Sequence, residues 1–101
     1  MKRLFISQPM QNKTEEQIYI EREIAISEAQ RILGEELEVI DSYCKHVTFA
    51  GNRPLFLLGK ALEQMATADV AYFVPGYEKA RGCRVERLCA LEYKIPIIEE
   101  L

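Results

Sequence analysis

Glu86 is the residue of this chain that most needs a chemical reason. At about 100° per residue, Val85, Glu86, Cys89, Ala90 and Tyr93 fall on one helical face. Four of the five suit a core, and a carboxylate does not. Two chemistries fit it. One is an acid that complements the helix dipole, or pairs with Arg81 or Arg84, at a solvated edge. The other is a carboxylate held in a crevice to act on a substrate. Cys83 is a rival nucleophile, because a helix N-terminus and neighbouring arginines lower a thiol's pKa. The sole histidine, His46, lies in another loop, so no base is at hand, and a small cysteine at the edge of a core is the plainer account. Cys44-Lys45-His46 is too sparse for a metal, which wants three or four ligands. No metal or cofactor is expected.

These residues need a strand before them and a helix beneath them. Val70-Ala71-Tyr72-Phe73-Val74 is an apolar run of strand length, ended by Pro75-Gly76. Gly82 then opens the helix that carries Glu86. Upstream, Arg3 to Ser7 reads as a first strand and Gln8 to Lys13 as a loop. Thr14 with Gln17 makes a capping box for a helix that runs to about Leu33 and stops at Gly34. Ile18, Ala25, Ala29, Ile32 and Leu33 form its core stripe, with Arg22 in the middle of it and Ile20 and Ile24 opposite. Leu37 to Ile40 is a second strand, ending at Asp41. A polar loop leads to Pro54, which suits the first turn of a helix whose stripe is Leu55, Leu58, Leu62 and Met65. Ile97-Ile98 ends the pattern as a last strand.

The order β-α-β-α-β-α-β implies a parallel sheet with helices on both faces. The expected fold class is α/β, a flavodoxin-like three-layer sandwich with a four-stranded sheet of order 2-1-3-4. Such sheets bind ligands beyond the carboxyl ends of the strands, where the winding reverses. That point gathers Ser7, Gln8, Pro9 and Met10, then Asp41 to Tyr43, then Gly76, Tyr77, Arg81, Gly82, Cys83 and Glu86. Asp41 could accept from a ribose hydroxyl or merely form a turn. Arg81, with the free N–H groups of Gly82 and Cys83, could hold a phosphate. Asp69 begins its strand and should sit at the far end, as a structural acid. Arg22 should be held by a carboxylate near the crevice, with Glu86 and Asp41 as candidates, or else snorkel to water.

Gly82-Cys83-Arg84-Val85-Glu86, followed by Leu88 to Tyr93 and Lys94-Ile95-Pro96-Ile97-Ile98, resembles the nucleoside 2-deoxyribosyltransferase superfamily. That family has a Gly-x-x-x-Glu signature here and a Lys-Pro-Val-Ile-like last strand. Leu4-Phe5-Ile6-Ser7-Gln8-Pro9-Met10 is similar to its first strand and turn. The nearest likeness is to its short bacterial and phage branch of unknown function. The resemblance implies that Glu86 is a nucleophile on the anomeric carbon of a nucleoside or nucleotide, in an N-glycosidase or deoxyribosyltransferase. It also implies a site completed across subunits. Where that family's enzymes carry aspartates, this chain reads Gly59-Lys60-Ala61 and Ala80-Arg81. A binding module of the same fold, without the chemistry, is therefore the second reading, and an oligomeric interaction protein is the third.

The bulk properties bound these readings. One hundred and one residues suggest one domain, 1–101, with a small core. A net charge of −3 argues against a nucleic acid polymer as partner, though not against a nucleotide. No apolar run nears the ~20 residues of a membrane span, and the first apolar stretch is too short for a signal peptide. Three cysteines without CxxC spacing fit a reducing cytoplasm. Apolar residues on two helices, Ile20 and Ile24 with Leu88 and Leu91, point to a homo-oligomer, most simply a dimer.

Overall fold

A computed structural model describes residues 1–41 and 48–99. Ser42, Tyr43, Cys44 and His46, which figure in the sequence reading, lie outside the described residues. The elements are β1 (Lys2–Ser7), α1 (Glu15–Leu33), β2 (Leu37–Val39), α2 (Arg53–Met65), β3 (Val70–Phe73), α3 (Arg81–Glu92) and β4 (Ile97–Glu99), with a single 3-10 turn at Tyr77–Lys79. The strands form one all-parallel sheet of order β2-β1-β3-β4. This is the expected α/β three-layer architecture.

Side-chain alternation along β1 divides the core in two. Leu4 and Ile6 pack with Ala25 and Ala29 of α1, and with Val70, Tyr72 and Val74 of the third strand and its end. Phe5 turns the other way, to Met65 of α2 and Ala90 of α3, together with Ala71 and Phe73. So α1 lies on one face of the sheet, and α2 and α3 on the other. Leu4, Phe73, Ala71 and Ala90 are fully buried. Burying a large apolar side chain is worth about 1.5–3 kcal/mol, and these central strands concentrate that gain.

Polar chemistry sets the ends of the elements. Thr14 Oγ1 accepts from Gln17 N at 3.1 Å while Gln17 Oε1 accepts from Thr14 N at 2.8 Å, completing the capping box. Gly34 closes α1 at φ 70°, a left-handed conformation that glycine adopts without cost. Asn52 caps α2 through Leu55 N, ahead of Pro54 in its first turn. Asp69 sits at the amino end of β3, where its carboxylate accepts from Arg3 N at 2.8 Å. It is a structural acid at the far end from the crevice.

Three stripe assignments differ from the structure. Ile32 is 49% exposed, because no described helix lies beside α1 on its face of the sheet. Leu55, in the first turn of α2, is 62% exposed and belongs to neither core cluster. Tyr93 is 80% exposed, since α3 ends at Glu92 and the helical period stops there. Cys83 takes the corresponding buried place one turn before Glu86. The structure also parts the two apolar helix surfaces: Ile20 and Ile24 belong to one outer layer, Leu88 and Leu91 to the other.

Thr14→Ala removes one half of the capping box. It should lower stability by about 1 kcal/mol in urea denaturation, with an unchanged m-value. A loss within a few tenths of a kcal/mol would mean that tertiary packing alone sets the start of α1.

Candidate functional site

Beyond the carboxyl ends of β1 and β3 lies a cavity of about 530 Å³. Its lining comes from the loop after β1 (Gln8, Pro9, Met10 and Gln11), from one flank of α2 (Leu57, Leu58, Lys60, Ala61 and Gln64), and from the start of α3 (Arg81, Gly82, Cys83, Arg84 and Glu86). The volume is in the range of small-molecule sites. Among the described lining residues Glu86 is the only acid, against four cations: Lys60, Lys79, Arg81 and Arg84.

Glu86 reaches this place because α3 starts directly after the β3 loop and presents Cys83, Glu86 and Ala90 to the sheet. Ser7, the last residue of β1, points toward the same helix. Ser7 Oγ donates to Glu86 Oε1 at 2.6 Å, and both residues are more than nine-tenths buried. Burial pushes the Glu86 carboxyl up to about 7, while the Ser7 hydrogen bond pulls it down. The helix N-terminus and the nearby arginines favour the anion. Desolvation is the larger effect, and Glu86 titrates near neutrality. Burial likewise pushes the Cys83 thiol up to about 11, so Cys83 stays protonated, not the activated thiolate a helix N-terminus suggests.

The next residue, Gln8, faces the opposite layer. Its Nε2 donates to Ile18 O and to Glu21 Oε1, both at 2.9 Å, and Lys13 clamps the same carboxylate at 2.8 Å. These acceptors orient the amide and leave Gln8 Oε1 buried without a partner among the described residues. Gln64 repeats the pattern: Nε2 donates to Asp41 O at 3.0 Å, and Oε1 is buried and unpartnered.

Other residues singled out from the sequence lie elsewhere. Arg22 is buried on α1, across the sheet from Glu86; its Nη2 donates to Ile40 O at 3.3 Å. Burial lowers its pKa and the charge of Asp41 opposes that shift, so Asp41 is the carboxylate that acts on it. Asp41 itself is exposed and does not line the cavity. Gly76, at φ 94°, turns the chain after β3, so that Tyr77 faces β4 instead of the cavity. Tyr77 donates to Glu99 Oε2 at 2.5 Å, and Arg87 forks the same carboxylate at 2.8 Å from each of two nitrogens. The Arg87 guanidinium and the Tyr77 hydroxyl hold the Glu99 carboxyl down at about 2. This tie fastens the site loop to the last strand.

The sequence reading missed the contribution of α2. Lys60 and Gln64 lie on the flank of the Leu58–Leu62–Met65 stripe, where helical spacing alone marks them as solvated. Lys79 was not singled out, and Arg84 only as a possible partner of Glu86, although both flank the same helix start as Arg81. Lys79 and Arg81 have no ion pair among the described residues, while Arg84 Nη1 donates to Glu78 O at 2.8 Å. The start of α3 has no side-chain cap, so its first N–H groups are open to an anion. No group of three or more His, Cys, Asp or Glu among the described residues is placed to hold a metal ion. No helix among them is long and apolar enough to cross a membrane.

Comparison with protein-family models, with curated proteins and with solved structures found no match for this chain.

The titration of Glu86 has a consequence for stability. Its folded pKa, about 7, lies above the ordinary 4.5. Across that interval the folded protein holds a proton that the unfolded chain has released. Stability from this group is present below the lower value and is lost as pH rises through the upper one. Glu86→Gln mimics the neutral acid, so its advantage over the native protein should be small at pH 5. It should grow to the order of 3 kcal/mol at pH 8, at ~1.4 kcal/mol per pKa unit. Urea denaturation of both proteins at the two pH values measures this; a gap that does not widen with pH would show that burial does not control the titration.

Proposed function

We infer that the protein cleaves the N-glycosidic bond of a nucleoside or nucleotide, with Glu86 as nucleophile. The observation that carries this reading is the buried Glu86 carboxyl, hydrogen-bonded to Ser7 at 2.6 Å, as the one acid among the described lining residues of a cavity that has four cations among them. N-glycosidic cleavage passes through a cationic, oxocarbenium-like state. A desolvated carboxylate at the anomeric face stabilises that state more than water does.

In the reaction, the Glu86 carboxylate attacks the anomeric carbon. The carbon–nitrogen bond breaks, its electron pair leaves with the base, and the base takes a proton from solvent. Water then attacks the glycosyl ester, releasing the sugar and returning Glu86 as an anion; a second base in place of water makes the same sequence a transfer. Ser7 engages Oε1, which fixes the carboxylate and leaves Oε2 for the attack. Arg81, Lys79 and the uncapped start of α3 suit a phosphate on the sugar, which favours a nucleotide over a bare nucleoside. The reading includes self-association, most simply as a dimer, and requires no cofactor.

A second reading rests on one specific observation. Glycoside hydrolysis ordinarily uses two carboxyl groups, and the described lining contains one. A module that binds a nucleotide without turning it over fits that lining. Free base released from a panel of nucleosides and nucleotides favours the enzyme. A rise in melting temperature with no release favours the binder.

For the enzyme, Glu86→Gln should abolish turnover by several orders of magnitude while preserving the fold and most of the ligand affinity. The nucleophile must be the anion, so activity should rise with pH on a limb near 7. Ser7→Ala removes the bond that lowers the Glu86 pKa, and should move that limb upward. A limb unmoved by Ser7→Ala would assign it to another group. Arg81→Ala should raise KM about tenfold for a phosphorylated substrate, the scale of one charge-assisted hydrogen bond. The same change should leave an unphosphorylated nucleoside unaffected.

A further inference from the structure

Three side chains that line no part of the cavity meet outside it. Glu99, at the end of the edge strand β4, accepts from the Tyr77 hydroxyl at 2.5 Å and from two Arg87 nitrogens at 2.8 Å each. Tyr77 belongs to the 3-10 turn Tyr77–Lys79, and Arg87 to α3. One carboxylate therefore grips both the turn that ends in Lys79 and the helix that begins with Arg81. Those two cations line the cavity and have no ion pair among the described residues.

The backbone bonds of the turn are local. Tyr77 N donates to Val74 O at 3.0 Å, Lys79 N to Gly76 O at 3.1 Å, and Ala80 N to Tyr77 O at 3.0 Å. They give the turn its shape, while Gly76 at φ 94° and extended Ala80 flank it as points about which it can pivot. Arg84 Nη1 donates to Glu78 O and joins the turn to α3. The Tyr77–Glu99 bond adds an anchor on the sheet. Lys79 and Arg81 are both exposed, so the fold can fix their backbone but not their long side chains.

We propose that Tyr77, Arg87 and Glu99 are positioning residues for phosphate recognition, holding Lys79 and Arg81 beside the uncapped start of α3. The inference rests on the nucleotide ligand common to both readings above, and it assigns part of the anion affinity to a tie that touches no ligand. A charge-assisted network suits that task because its bonds are short and directional. Two cations placed before the phosphate arrives need less ordering when it binds.

Titration calorimetry with common ribo- and deoxyribonucleoside 5′-monophosphates, and with the matching nucleosides, tests this. Tyr77→Phe keeps the ring edge-on to Phe73, with centroids 5.4 Å apart, and removes only the hydroxyl. It should weaken monophosphate binding about fivefold, on the scale of changes that act without touching the ligand. Nucleoside binding should stay unchanged. Glu99→Gln, which keeps an acceptor for the hydroxyl, should lose less than Glu99→Ala. With Lys79 and Arg81 both replaced by alanine, Tyr77→Phe should cost nothing further, since a tie that acts through them has nothing left to place. A native protein that binds monophosphates no better than nucleosides overturns the phosphate reading and this inference together. Unchanged monophosphate affinity in Tyr77→Phe, an equal loss for nucleosides, or a loss that persists in the alanine background overturns the inference alone. The expected pattern without base release removes the glycosidase chemistry and leaves the tie standing.

Discussion

The hydrogen bond from Ser7 to Glu86 joins the carboxyl end of the central strand to the first turns of the last helix. A carboxyl group buried this deeply would be costly without a donor. The position of that donor depends on nearly everything else. β1 must lie between β2 and β3, or Ser7 would not reach α3. β3 must end in phase with β1, which the Ser7–Phe73 register and the bond from Val74 N to Ser7 O ensure. The opposite end of the same strand pair is locked by Asp69 on Arg3. The site loop is held by the Tyr77–Glu99–Arg87 tie. Shifting β1 by one residue would turn Ser7 to the other face and put Ile6 or Gln8 in its place opposite Glu86.

The strict alternation of a strand also divides labour between the two faces. Ser7 turns toward α3 and Gln8 toward α1, only one residue apart. The cavity, with one acid and four cations among its described lining residues, falls under α2 and α3. The α1 face carries Gln8 anchored on Glu21 and Lys13, the Arg22 guanidinium under Asp41's influence, and an uncovered apolar strip. Arg22 and Glu86 both break apolar stripes, and they do so on opposite sides of the sheet. One is a cation held near a chain carbonyl; the other is an acid held near neutrality.

Much of the fold was legible in the sequence because local signals and hydrophobic period agreed. The capping box at Thr14, the stop at Gly34, Pro54 in a first turn, the strand of Val70 to Val74 and the alternation of strands with helices all express short-range chemistry. The strand order 2-1-3-4 was read by likening the alternating pattern to a flavodoxin-like arrangement. Glu86 was legible as an anomaly, since a single carboxylate on an apolar helical face is visible from spacing alone. What helical spacing could not supply was the extent of each neighbour's cover. Ile32 and Leu55 match the period of a core and are exposed. Tyr93 fits the period but follows the helix's last turn.

The sequence by itself determined the elements, their order, the parallel sheet and the residue around which a site would form, because those depend on contacts within a few residues and on chain connectivity. Only the tertiary structure decided which candidates share a cavity. It brought Lys60 and Gln64 of α2 beside Gln8, Arg81 and Glu86, and it turned Tyr77 toward β4 and Arg22 to the far face. It also decided the protonation of Glu86 and Cys83. Helix-end and arginine charges, which are readable in a sequence, favour ionisation of Glu86 and Cys83. The depth of burial opposes it and prevails, and depth is a property of the packed layers that no local stretch of chain encodes.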